Sequence, residues 1–195
     1  MRFYKWHIFF ALIVIAAAVF IFESVQKEIG GDLRVAFVAD TYVNTQNFKV
    51  NGSELELLLR DADENGKREL YIESFHSDDV KERSKKLEEL IKEDKWDLYI
   101  ADKEALEGVE NKGGFIEADY LPQKGAEVKT LTDEDGKVYA ANLAGNSIIK
   151  RLGVYESENL YMAPAQGREK EASTFRKNGR NICYYILENR EKYMF

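Results

Sequence analysis

One cysteine, two prolines and two histidines in 195 residues leave the chain with few framework or catalytic devices. A lone thiol, Cys183, can form neither an internal disulfide nor a multi-thiolate zinc site. Two prolines exclude a Pro-rich stalk. Positive charge is in deficit as well: the formal charge is −7, and because the first 23 residues carry +1 the remainder carries −8. Phosphate binding needs clustered Lys and Arg, so nucleic acid is not expected as a partner. A serine-type triad needs a histidine base, and only His76 lies outside the apolar N-terminal run. No Gly-x-Ser-x-Gly elbow accompanies it, Gly-rich phosphate loops are absent, and neither catalysis nor a cofactor is expected.

What is present begins with an uncharged run from Trp6 to Phe22. Seventeen helical residues span roughly 26 Å, close to the thickness of a hydrocarbon core. The run is apolar all round, without the periodicity of a core helix. Arg2 and Lys5 precede it and acidic residues follow it, which orients the N-terminus to the cytoplasm and residues 24–195 outside. Residues 1–23 are therefore expected to be a transmembrane anchor and 24–32 a linker. A cleaved signal peptide is the alternative, with Ala16-Ala17-Ala18 as a small-residue cleavage site. The apolar residues that continue through Phe22 favour the anchor.

Residues 33–195 read as one α/β domain. Leu33–Val38, Leu70–Phe75 and Asp97–Ala101 are apolar runs of strand length. Between them lie a capping box, Ser53 to Glu56, that opens a short helix through Leu57, Leu58 and Leu59, and a longer helix capped by Ser77 with Val80, Leu87, Leu90 and Ile91 on its apolar face. Strands separated by helices predict a mainly parallel sheet in three layers, with helices on both faces. Asp133-Glu134-Asp135-Gly136 predicts a hairpin. Ser147–Gly153 predicts a short helix. Leu160–Pro164 reads as a last strand on an edge, and 168–190 as a helix broken at Gly179. Asp61-Ala62-Asp63-Glu64-Asn65-Gly66 matches half of a calcium loop, but Ile72 stands where the bidentate Glu belongs, so an acidic turn is expected. Lys81, Arg83, Lys85 and Lys86 read as a solvated helix face.

The order of these segments resembles the first lobe of extracellular solute-binding proteins of the periplasmic-binding-protein class. The resemblance runs through Trp96-Asp97-Leu98-Tyr99-Ile100-Ala101-Asp102-Lys103-Glu104-Ala105-Leu106, the phrase Gly114–Leu121, the run Asp135–Ser147 and Leu160–Pro164, and covers roughly residues 33 to 190. It implies a non-catalytic domain that binds a small polar solute and is linked to a transporter. The chain departs from the family in two ways, with about half the length of a two-lobed member and a transmembrane run in place of a lipidated cysteine, and is therefore read as a single-lobe, membrane-anchored form. In open α/β sheets ligands sit beyond the carboxyl ends of the strands. The candidate residues are then Asp40 and Thr41, His76 and Ser77, and Asp102 and Lys103. Asn146 and Ser147 join them at a helix start suited to an anionic or hydroxylated group. The alternative is a ligand-free interaction module, an accessory subunit of a membrane or envelope complex.

Overall fold

The computed structural model describes residues 31–44, 53–62, 64–115, 117–118, 128–151, 153–154, 158–166 and 174–188. The run from Trp6 to Phe22 lies outside them; among the described residues no helix is long and apolar enough to cross a membrane.

Six strands form one sheet: β1 Leu33–Ala39, β2 Leu70–His76, β3 Leu98–Asp102, β4 Thr130–Thr132, β5 Val138–Asn142 and β6 Leu160–Pro164. The helices are α1 Ser53–Glu56, α2 Val80–Glu93, α3 Lys103–Glu107, α4 Ser147–Arg151 and α5 Thr174–Glu188, with a 3₁₀ turn at Glu110–Lys112. The strand order is β2-β1-β3-β6-β5-β4.

Alternation along β1 explains the layering. Leu33, Val35 and Phe37 meet Leu55 of α1, Ile148 and Ile149 of α4, and Ile182, Ile186 and Leu187 of α5 in one buried cluster. Ala36 and Val38 meet Leu87 and Leu90 of α2 and Leu106 of α3 in the other. Both faces of the sheet are therefore covered, which is why its central strands are nearly continuously apolar, with Arg34 in β1 and Asp102 at the end of β3 as the charged exceptions.

The sheet is mixed rather than mainly parallel. β1 pairs in parallel with β2 and β3, but β3–β6, β6–β5 and β5–β4 are antiparallel. Helical crossovers carry the parallel pairing only through β3; beyond it β6 lies between β3 and β5 and runs against both, and only β4 and β5 are joined by a tight hairpin turn, at Asp133–Lys137. β6 is internal, not an edge. The Ala165 N–H reaches the Asp97 carbonyl at 3.0 Å on the β3 side, so the Pro164 nitrogen points to the β5 side. There pairing stops at Met162, and the missing N–H orphans no partner.

Four local readings also change. α1 is a single turn beginning at Ser53, with Leu57 72% exposed. α2 is capped by Asp79, whose carboxylate accepts from the Lys81 N–H at 2.8 Å, two residues later than Ser77, and Val80, at the first position after that cap, is exposed rather than on the buried face. Lys86 reaches across to Glu73 of β2 at 3.6 Å. Gly179 does not break α5; it is buried within that helix, where a Cβ would stand 3.7 Å from the Asp97 carbonyl. Cys183 is buried. In the half calcium loop the Asp61 carboxylate accepts from the N–H groups of Asn65 and Gly66 at 3.0 and 2.8 Å, the geometry of an acidic turn.

Candidate functional site

The parallel register sets the site. Ala39 lies opposite His76, and Val38 opposite Ala101, so β1, β2 and β3 end on one edge of the sheet. β5 runs in the same direction as β3, because both are antiparallel to β6, and its end at Asn142 leads through Gly145 to Asn146 and Ser147. All eight candidates therefore lie along one edge. The chain leaves β1 for β2 on one side and returns to β3 on the other, so the order reverses between the ends of β1 and β3, the usual place for a crevice.

The eight differ sharply in what they can offer. Asp40 is exposed and accepts from the Thr41 hydroxyl at 3.2 Å. His76 has a side chain 41% exposed, with Nε2 3.9 Å from Asp78. Ser77 donates to Glu82 Oε2 at 2.7 Å and accepts from the Asp79 N–H at 3.1 Å. Lys103 pairs with Glu107 at 3.4 Å within α3. Ser147 opens α4 and is half-buried.

Asp102 and Asn146 are fully buried. Asp102 Oδ2 lies 2.6 Å from Arg83 Nε, and Oδ1 accepts the Ala105 N–H at 3.0 Å as the cap of α3. Arg83 also donates to the Ser77 carbonyl at 2.6 Å. This cation is thus a buried tie between α2 and the ends of β2 and β3, not part of a solvated face. Burial pushes the Asp102 carboxyl above its ordinary value, opposed by the hydrogen bonds from Arg83 and the Ala105 N–H. Asn146 Oδ1 accepts from the N–H groups of Ile148 and Ile149 at 3.0 and 3.1 Å, and its Nδ2 donates to the Ile186 carbonyl at 2.6 Å. Its side chain caps α4 and ties it to α5, so the amides that would greet an anion are already engaged by this side-chain oxygen.

Three residues of this edge escape a reading by residue type. Tyr42, just past β1, is 71% exposed and sits beside Asp40 and Thr41. Glu104 and Asn159 come together where the Lys103 N–H donates to the Asn159 carbonyl at 3.2 Å. The Asn159 amide donates to Glu104 Oε2 at 2.8 Å and holds that carboxyl below its ordinary value. An exposed tyrosine in the turn after a strand was the signal for the first; the other two required β6 to be placed beside β3.

The three-histidine or mixed carboxylate geometry of a metal centre is absent: among the described residues no group of three His, Cys, Asp or Glu side chains could hold a metal ion. No protein-family model matches the chain, and no characterised protein or solved structure is significantly similar to it. The resemblance to a solute-binding lobe thus rests on the order of segments alone.

Proposed function

We propose that residues 33–195 form a non-catalytic, extracytoplasmic binding domain, anchored by residues 6–22, that takes a small polar solute at the carboxyl ends of β1, β2 and β3 and serves a membrane transporter. The observation that carries this reading is the reversal of strand order between β1 and β3, with Asp40, Thr41 and exposed Tyr42 at that point. Tyr42 offers a ring for stacking, and Asp40, His76 and Ser77 offer acceptors and donors for hydroxyl or amino groups. Asp40, Asp78, Asp79, Glu104 and Glu158 are exposed nearby, while Lys103 is paired with Glu107, so the charge disfavours an anionic solute.

The alternative, a ligand-free interaction module, is favoured by one observation: Asp102 and Asn146 are buried and fully engaged by the fold. A thermal-shift screen of the full chain in detergent against neutral sugars, amino acids, short peptides and oligoanions separates the two. The expected result is a shift with a neutral or cationic class and none with oligoanions. The double substitution Asp40→Ala/Tyr42→Ala should abolish that shift while the unliganded Tm stays within a few degrees, since both side chains are exposed. A panel without any shift, or a shift the double variant keeps, transfers the lead to the interaction module.

A further inference from the structure

A cleft of about 250 Å³ lies at the other edge of the sheet, where β5 begins. It is lined by Glu110, Phe115, Glu117, Asp133, Lys137 and Tyr139, with Gly113 and Val138 completing it. None of these belongs to the strand-end edge described above.

Its wall is aromatic and already assembled. Phe115 stacks on Tyr139 with centroids 5.4 Å apart and planes 20° from parallel, and meets Tyr99 edge-on at 5.8 Å. Phe115 is fixed by its bridge to Ala165, and the adjacent Gly114 carbonyl accepts from the Gln166 N–H at 2.7 Å. Two of the carboxylates are also held in place. Glu110 Oε2 accepts from the Tyr139 hydroxyl at 3.3 Å, and Asp133 Oδ1 from the Lys137 N–H at 2.8 Å. A site whose walls are ordered before a ligand arrives loses less freedom on binding.

The sign of the charge selects the ligand. Three carboxylates and one ammonium line the cleft, so its net charge is negative and an anion is repelled. The Tyr139 hydroxyl is pushed well above its ordinary value, by burial first and by Glu110, Glu107 and Asp133 after it, in keeping with a negative local field. The carboxylates do not form a ligand set for a metal ion. A cation with its charge carried on an apolar or flat body fits both the spread of the acids and the aromatic wall, where the half-buried Phe115, backed by buried Tyr139, is the ring within a ligand's reach, and aromatic rings attract cations. At ~30 Å³ per water molecule the volume corresponds to about eight waters.

We propose that this cleft is a second binding site, for a small organic cation: an ammonium or guanidinium on an apolar body of tyramine size. The test titrates full-length protein in detergent with tyramine and agmatine by calorimetry, with 4-hydroxyphenylacetate as the anionic counterpart of tyramine. Tyramine or agmatine should bind, and 4-hydroxyphenylacetate should not. The Glu110→Gln/Glu117→Gln variant should weaken binding at least tenfold, since glutamine keeps the shape and still accepts from Tyr139 but removes the charge. Lys137→Ala should strengthen it. The Asp40→Ala/Tyr42→Ala variant should leave it unchanged, which keeps this site distinguishable from the strand-end site. Absence of binding by both cations up to ~10 mM, equal binding of the anion, or undiminished affinity in the folded double-glutamine variant would overturn the proposal.

Discussion

Asp102→Ala is expected to lower the free energy of unfolding by about 3–5 kcal/mol, because it leaves the Arg83 charge buried without its partner. Arg83 is 3% exposed and Asp102 is fully buried, so water cannot take the place of the lost carboxylate. Asp102→Asn separates the two roles of this side chain. Asparagine still accepts the Ala105 N–H and caps α3, but it does not neutralise Arg83. It should therefore cost nearly as much as alanine. Combining Asp102→Asn with Arg83→Met removes both charges and keeps the cap, and should recover most of the loss. Urea denaturation of the wild type, Asp102→Asn, Arg83→Met and the double variant at constant m-value gives the cycle. If the double variant is as unstable as the singles, the pair is not the origin of the cost.

The second large effect is expected at Asn178 of α5. Its amide donates to the Asp32 carbonyl at 3.0 Å and the Arg60 carbonyl at 2.8 Å, and its oxygen accepts the Arg60 N–H at 2.8 Å. Asp32 is the other half of this junction. Its carboxylate accepts the N–H groups of Ala62 and Glu69, the latter at 2.8 Å. The two buried side chains thus fasten α5, the start of β1 and the segment before β2 to one another. Asn178→Ala orphans three backbone groups and should cost roughly 3 kcal/mol at about 1 kcal/mol or more each. Asn178→Asp should be no better, since it sets a carboxylate against two carbonyl oxygens. A loss below about 0.5 kcal/mol, the range of an ordinary surface change, would show that the junction does not hold these elements together.

Neither network was legible in the sequence, and the reason is physical. Asp32 was assigned to a linker because it follows two glycines, and Arg83 to a wet face because lysines and glutamates surround it. Local pattern reports the company a residue keeps along the chain, whereas the Arg83–Asp102 pair joins residues 19 apart and the Asp32–Asn178 junction residues 146 apart. The β1–α1–β2–α2–β3 succession was legible, because apolar runs and caps are local signals, and it was enough to bring Asp40, His76 and Asp102 to one edge. The direction and position of β6 were not legible: Pro164 suggested an edge strand, and only the end of the β5 pairing shows why a proline is tolerated inside the sheet. The site was half legible for the same reason. A polar residue at a strand end can face solvent, as Asp40 does, or turn inward to cap a helix, as Asp102 does, and composition does not distinguish the two.

The central claim is that the strand-end edge between β1 and β3 binds the solute. Its most direct measurement is a backbone amide NMR titration of the full chain in detergent with the compound that gives the thermal shift. The account predicts perturbed resonances at Asp40, Thr41, Tyr42, His76, Ser77 and Lys103, with saturation at a common Kd. Perturbation confined to Phe115, Tyr139 and their neighbours at the opposite edge, or no perturbation at the six strand-end residues at saturation, would contradict it.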